Sequence, residues 1–251
     1  AQLEGRFADA QMAGHKAVLF VRSARALVGA GIDPQEEVRA IFGPGRLEVL
    51  GKHTDDAGGR SIVAALDRGF CLVVHPRPDA RVRVHAVGLD ESVECEFVPD
   101  LAVPHGTWTN YPLTVVRRLA RNFGASLKGA DIAFVSDLPA AAGMSSSSAL
   151  MVGTYLALAD HNRLGEREIY RHHIASDLEL AAYLGTIENG QSFGDLTGDR
   201  GVGTFGGSED HTAILCSEAG QLGQFSYCPA RFERRIGVPA GDVLALGFSG
   251  V

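Results

Sequence analysis

The chain has 251 residues, 45% of them hydrophobic, which is enough to bury a sizeable core in one large domain or two small ones. Its 23 basic residues against 30 acidic ones give a formal net charge of -7, so broad attraction to nucleic acid or to an anionic membrane is excluded and any anionic ligand must be held by a local site. Cys71, Cys95, Cys216 and Cys228 are scattered with neither a CxxC pair nor His/Cys ligand spacing, which argues against a zinc site built on them and against a disulfide framework.

The N-terminal stretch mixes charges with apolar residues, lacks a signal-peptide core, and no run approaches the roughly 18 apolar residues of a membrane span. The expectation is a soluble, cytoplasmic protein. Residues 6 to 29 alternate apolar and polar positions at helical spacing, and a turn at 32–37 leads into VRAIFG and LEVLG, two short β-like pieces separated by Pro44-Gly45. SIVAAL, RGFCLVVHP, ARVRVHAVGL and SVECEFV follow as β-branched runs with turn residues between them. NYPLTVVRRLARNFG carries the helical stripe Leu113, Val115, Val116, Leu119 and Phe123 and stops at Gly124. ADIAFVSDLP reads as a buried strand, SSALMVGTYLALADHN as an interior helix, and REIYRHHIASDLELAAYLGTIEN as one further helix. HTAILCS, GQFSYCP and DVLALGFS read as three more strands. Strands and helices interleave without a regular βα repeat, so the fold class expected is α+β.

Two segments carry chemistry. In SDLPAAAGMSSSSALMV a strand runs through Pro139 into small residues, Gly143, then Ser145, Ser146, Ser147 and Ser148, and at once a helix. The first turn of a helix has unpaired N–H groups and partial positive charge, and small residues before it let a phosphate approach the backbone. A single capping hydroxyl serves a helix start, so four serines leave both an N-cap and a phosphate cradle open. No lysine follows the glycine, so this is not the Walker form. In PGRLEVLGKHTDDAGG a short strand is flanked by Arg46 and a polar, glycine-rich turn; the same residues suit a hairpin corner or a site presenting paired donors and acceptors to a polyol.

PGRLEVLGKHTDDAGG resembles the galactokinase signature, in which Pro-Gly-Arg leads a strand into Gly-Glu-His-Thr-Asp and a glycine-rich turn. LPAAAGMSSSSAL resembles the same family's phosphate loop, and GVGTFGGSEDHTAIL is similar to its segment Gly-Val-x-Cys-Gly-Ile-Met-Asp-Gln. Three motifs in the family's order identify a resemblance to the GHMP kinases, the superfamily of galactokinase, homoserine kinase, mevalonate kinase and phosphomevalonate kinase. The resemblance implies the superfamily's N-terminal fold, like domain 2 of ribosomal protein S5, with a mixed or antiparallel sheet and buried helices. It divides the chain into a helical segment at 1–35, the kinase N-terminal domain at 36–240, and at 241–251 the start of a C-terminal domain that the reading expects beyond this chain.

The implied function is a sugar kinase moving the terminal phosphate of ATP to a monosaccharide hydroxyl, the anomeric one being expected, with a non-catalytic sugar and nucleotide sensor as the alternative. The implied partners are the sugar, ATP and Mg2+, and no nucleic acid. By resemblance Asp210 removes or orients the acceptor proton and Arg46 stabilises the aspartate and the moving charge. Lys52, His53, Asp55, Gly207 and His211 fall on substrate-binding positions; Pro139, Gly143 and Ser145 to Ser148 hold the nucleotide phosphates; Ser146 or Ser147, with Glu188, holds magnesium. Galactokinases carry glutamate where this chain has Lys52, asparagine where it has Glu48, and tyrosine where it has Asp56. Lysine reverses the charge and the hydrogen-bonding sense of that contact, which points to altered specificity, an acidic sugar such as a uronic acid being the substrate it motivates. GQSFGDLTGDR, between Glu188 and Asp210, is expected as a turn-rich insert near the site. His172 and His173 are expected at the surface, with no metal partner at helical spacing.

Overall fold

The computed structural model describes residues 10–124, 126–139 and 142–239, together with 241, 244, 245 and 247. The helices are α1 (Ala10–Gly29), α2 (Asn110–Phe123), α3 (Ser146–His161), α4 (Glu168–His173), α5 (Asp177–Asn189) and α6 (Glu209–Cys216). The strands are β1 (Arg39–Leu50), β2 (Arg60–Pro76), β3 (Arg81–Ala86), β4 (Glu91–Glu96), β5 (Ala130–Ser136), β6 (Gln221–Ser226) and β7 (Arg231–Gly237). They form one mixed sheet in the order β4-β3-β5-β2-β6-β7, with β1 also paired to β2; β3 and β5 run parallel and the other pairs antiparallel. The α+β expectation is borne out.

Strand alternation sorts the core into two faces. Cys71 and Val73 of β2 and Ala133 and Val135 of β5 point to one side, where Leu19 and Leu27 of α1 cover them. Phe70, Leu72, Val74, Ile132 and Phe134 point to the other, into a larger core with α2, α3 and α5. Covered on both faces, β5 is apolar almost throughout, as a central strand must be.

Four expectations need correction. VRAIFG and LEVLG are one strand, β1, with register shifts at Pro44/Arg46 and Glu48/Leu50, because the long partner β2 carries it past Pro44-Gly45. SIVAAL and RGFCLVVHP likewise join as β2, which pairs with β6 through its first residues and with β5 through its last. At Gly69 a Cβ would lie 2.2 Å from the Gly43 carbonyl oxygen, so only glycine lets the strands cross there. REIYRHHIASDLELAAYLGTIEN is broken: α4 ends at His173 and Ser176 starts α5, its hydroxyl accepting the Glu179 N–H. HTAILCS is a helix, α6, whose first N–H is satisfied by a carboxylate from a distant segment. The sequence also gave no sign of β7. The strand expected at DVLALGFS falls largely outside the described residues.

Candidate active site

Three chain segments converge at the start of α3. The backbone of β1 meets the serine loop directly: Arg46 N–H donates to the Met144 carbonyl at 3.2 Å, and a Cβ at Gly45 would lie 2.9 Å from that same oxygen. Arg46 is thereby aimed along the loop. Its Nη1 donates to the Gly143 carbonyl at 3.1 Å, its Nε to Asp210 Oδ1 at 2.6 Å, and its Nη2 lies 3.3 Å from Glu48 Oε2. The pairing of Arg46 with Asp210 expected from the motifs is present in the geometry.

Asp210 is delivered by the first turn of α6. The Asp55 carboxylate accepts the Glu209 N–H at 3.0 Å, acting as an N-cap supplied from the polar turn after β1. Asp55 is buried at 8% exposure, so its Oδ2 serves the protein rather than the open cleft. Gly207 is required by this contact, since a Cβ there would sit 2.4 Å from Asp55 Oδ2; Gly185 of α5 in turn would bring a Cβ within 2.9 Å of the Gly207 carbonyl. This close approach of α5 to α6 sets Glu188 beside the aspartate.

The hydroxyl that links them belongs to Ser148 rather than Ser147. Ser148 is fully buried, with Oγ 3.0 Å from Glu188 Oε2 and 3.3 Å from Asp210 Oδ2. His211, 1% exposed, places Nε2 3.4 Å from the same Glu188 oxygen. Ser146 and Ser147 stand half-buried in the first turn of α3. Burial pushes Asp210 up, but the Arg46 guanidinium, the Ser145 hydroxyl and His211 outweigh it and leave the carboxyl below its usual range. Asp210 is ionised at neutral pH.

Glu209 is a buried neighbour of this cluster that the sequence did not flag. It stands where the resembled motif has methionine, is 4% exposed, and neither carboxyl oxygen meets a donor among the described residues. Burial, with the Glu48 and Asp55 carboxylates close by, pushes it up to about 8. Both departures from the family pattern, Glu48 and Glu209, thus face each other behind Arg46.

Lys52 and His53 lie exposed on the turn after β1, His53 with φ 53°, and line with Arg46, Glu48, Gly143 and Met144 a cleft of about 580 Å³. Beside the serine loop, Gly143 (φ 67°) and Ser145 (φ 54°) are left-handed, and the Ser145 side chain does not cap α3. The first N–H groups of α3 therefore keep their capacity for an anion. Ser148 and Glu188 supply hydroxyl and carboxylate oxygens, a donor set that suits magnesium.

Residues 110–196 match the family described as GHMP kinases N terminal domain, and residues 32–76 match the galactokinase galactose-binding signature. The chain thus carries a GHMP kinase N-terminal domain and a galactokinase-type sugar signature, and it is similar to galactokinases. It is 40% identical over 139 residues to the galactokinase of Roseiflexus sp. (strain RS-1), covering 54% of this chain and 34% of that one. With the galactokinase of Streptomyces coelicolor it shares 36% over 178 residues, 70% of this chain and 41% of that one. It therefore spans between about a third and two-fifths of the length of these galactokinases. Its fold matches the crystal structure of Lactococcus lactis galactokinase complexed with galactose with a TM-score of 0.70, over 90% of this chain and 56% of that one at 22% identity. The Methanococcus jannaschii mevalonate kinase gives 0.57 over 80% and 57% at 17% identity. The GHMP kinase fold read from the three motifs is borne out.

The four cysteines form no disulfide, and burial pushes the Cys71, Cys95 and Cys216 thiols up to about 12. No helix among the described residues is long and apolar enough to cross a membrane.

Proposed function

We propose that the protein transfers the terminal phosphoryl group of ATP to a hydroxyl of a monosaccharide, the anomeric C1 hydroxyl, with specificity altered from galactose. The observation that carries this reading is the 2.6 Å contact of Arg46 with Asp210 at the mouth of the serine loop. Phosphoryl transfer asks a protein mainly for alignment and for charge stabilisation. Asp210, ionised, accepts the hydrogen bond of the acceptor hydroxyl and turns its oxygen lone pair toward phosphorus. As a weak base it takes the proton late, once the new P–O bond has acidified that hydroxyl and the bond to the departing ADP oxygen is breaking. Arg46 neutralises charge on the aspartate and on the equatorial phosphoryl oxygens.

Pro139, Gly143 and Ser145 to Ser148 with the first turn of α3 are assigned to the triphosphate, and Ser147, Ser148 and Glu188 to magnesium, which when bound would screen charge between the terminal phosphates. Lys52 and His53 are assigned to the sugar side; Asp55 and Gly207, which the resemblance also placed there, instead hold the start of α6, and His211 stands buried beside Glu188. Lys52, on the rim of the cleft, favours an acidic sugar such as a uronic acid, because an ammonium pairs with a carboxylate where a glutamate would repel it. ADP release by the full-length protein across galactose, galacturonate and other monosaccharides tests this. Turnover should be sugar-dependent, highest with the uronate, and at least about a hundredfold lower in Asp210→Asn. Turnover confined to neutral galactose removes the acidic substrate; saturable sugar binding without turnover removes the kinase.

A further inference from the structure

The sequence left His172 and His173 without a metal partner; the fold supplies one. The two imidazoles close α4 and meet edge to face, with ring centroids 4.7 Å apart and planes at 85°. Against them lies Asp195, its Oδ2 3.2 Å from His173 Nε2. One ligand atom from each of the three groups lies within 4.8 Å of the other two.

Both halves of this cluster are anchored. Asp195 sits at the tip of a tight turn closed by reciprocal backbone hydrogen bonds of 3.0 Å between Phe193 and Leu196. Leu196 is fully buried in the main core, and the Phe193 ring packs 5.9 Å from Tyr183. Gly194, with φ 56°, fits under the His173 ring, where a Cβ would come within 2.5 Å of it. On the other side Tyr170 of α4 packs 6.2 Å from Phe123 of α2. The two segments that carry the three donors are thus held by apolar contacts that do not depend on the donors themselves.

We propose that His172, His173 and Asp195 bind a divalent transition-metal ion of the Zn2+ class, a site separate from the Arg46, Asp210, Ser148 and Glu188 cluster. Two imidazoles and one carboxylate without a thiolate suit zinc and its neighbours, whereas magnesium takes oxygen ligands and keeps its water. Three protein ligands leave a fourth position to water. Ligands of tetrahedral zinc stand about 3.3 Å apart, given bonds of about 2.0–2.1 Å. His173 and Asp195 already meet that spacing, and His172, being exposed, is free to close the remainder. The Asp195 N–H contact to His173 Nε2, long at 3.4 Å, is what the metal replaces. Such an ion fastens α4 to the 190–206 segment, which connects the two candidate carboxylates Glu188 and Asp210 and whose end is held by the Asn189 side chain on the Gly206 carbonyl at 2.8 Å. It is a brace for that segment and takes no part in phosphoryl transfer, so it holds or fails independently of the kinase reading.

The test is Zn2+ titration by calorimetry of the full-length protein after chelator treatment, with thermal unfolding followed in parallel. One equivalent of Zn2+ should bind and raise Tm. The double variant His172→Ala, Asp195→Asn should bind it at least about tenfold more weakly and lose the rise in Tm. Both side chains are exposed, so the metal-free variant should keep its circular dichroism and its own Tm. Glu188→Gln should bind zinc as the unaltered protein does. Absence of stoichiometric binding, equal affinity in the double variant, or loss of binding in Glu188→Gln instead would overturn the proposal. So would a variant whose metal-free Tm falls while Zn2+ has no effect on either protein, since the cluster would then be only a structural contact.

Discussion

Arg46 serves two carboxylates at once, and a third lies behind them without a counter-ion. Asp210 takes the short contact at 2.6 Å and Glu48 the longer one at 3.3 Å, so the guanidinium charge is already spent when Glu209 is reached. Glu209 therefore keeps its proton in the fold: its folded pKa is about 8 against 4.5 for the free side chain. The sign of the linkage follows, because between those values the folded state binds a proton that the unfolded state has released. The stabilisation is complete below pH 4.5, declines as pH rises, and is gone above about 8. Glu209→Gln keeps the shape of the protonated side chain and cannot titrate. Its Tm, followed from pH 5 to 8.5, should fall less than that of the unaltered protein across this window, leaving the variant relatively more stable at the alkaline end; parallel curves would show that Glu209 does not hold the proton. Arg46 and Asp210 were legible because each sits inside a contiguous motif. Glu209 was not, since its meaning comes from Glu48 and Asp55, which arrive from a different part of the chain.

Strands and helices were legible where one segment carries its own period, as in α2, β5 and α3. Boundaries failed where a distant partner decided them. HTAILC is short enough for a strand, and what makes it helical is the Asp55 carboxylate capping Glu209 together with the glycine-to-glycine approach of α5. The break between α4 and α5 does carry a local signal: Ser176 followed three residues later by Glu179 is the pattern of a capping box. Ser176 Oγ accepts the Glu179 N–H at 3.2 Å, while Glu179 Oε2 accepts the Ala175 N–H at 2.8 Å. Ser176→Ala should cost about 1 kcal/mol in chemical denaturation. Ser176→Asp, which keeps the acceptor and adds favourable charge at a helix start, should restore most of it. An unchanged midpoint for the alanine variant would mean that α5 is set by its packing alone. The insert expected between Glu188 and Asp210 is likewise tied down rather than loose: Arg117 pairs with Asp199 at 2.6 Å and donates to the Gly201 carbonyl, and Asn110 donates to the Val202 carbonyl.

Across the whole molecule, the face of the sheet opposite the main core is coupled to the serine loop through one buried ion pair. Lys16 of α1 is fully buried and its ammonium lies 2.6 Å from Asp137 Oδ2, the residue that follows β5 on the way to the loop. Asp137 has a second attachment, accepting the Gly69 N–H at 2.8 Å on Oδ1, and its side chain retains 12% exposure. The partners are therefore unequal. In Lys16→Met the aspartate keeps the Gly69 donor and some water; in Asp137→Asn the lysine keeps only weak acceptors in a site without solvent. Removing one member of a buried pair costs about 3–5 kcal/mol, because the charge left behind is unpaired, whereas replacing both spares that penalty. Denaturant unfolding of the two single variants and the double should show Asp137→Asn more damaging than Lys16→Met, and the double less destabilised than the sum of the two. Additive losses would mean that the pair is solvated in solution, and that α1 is held to the sheet by its apolar face and by the Ser23 hydroxyl, which donates to the Cys71 carbonyl at 2.9 Å.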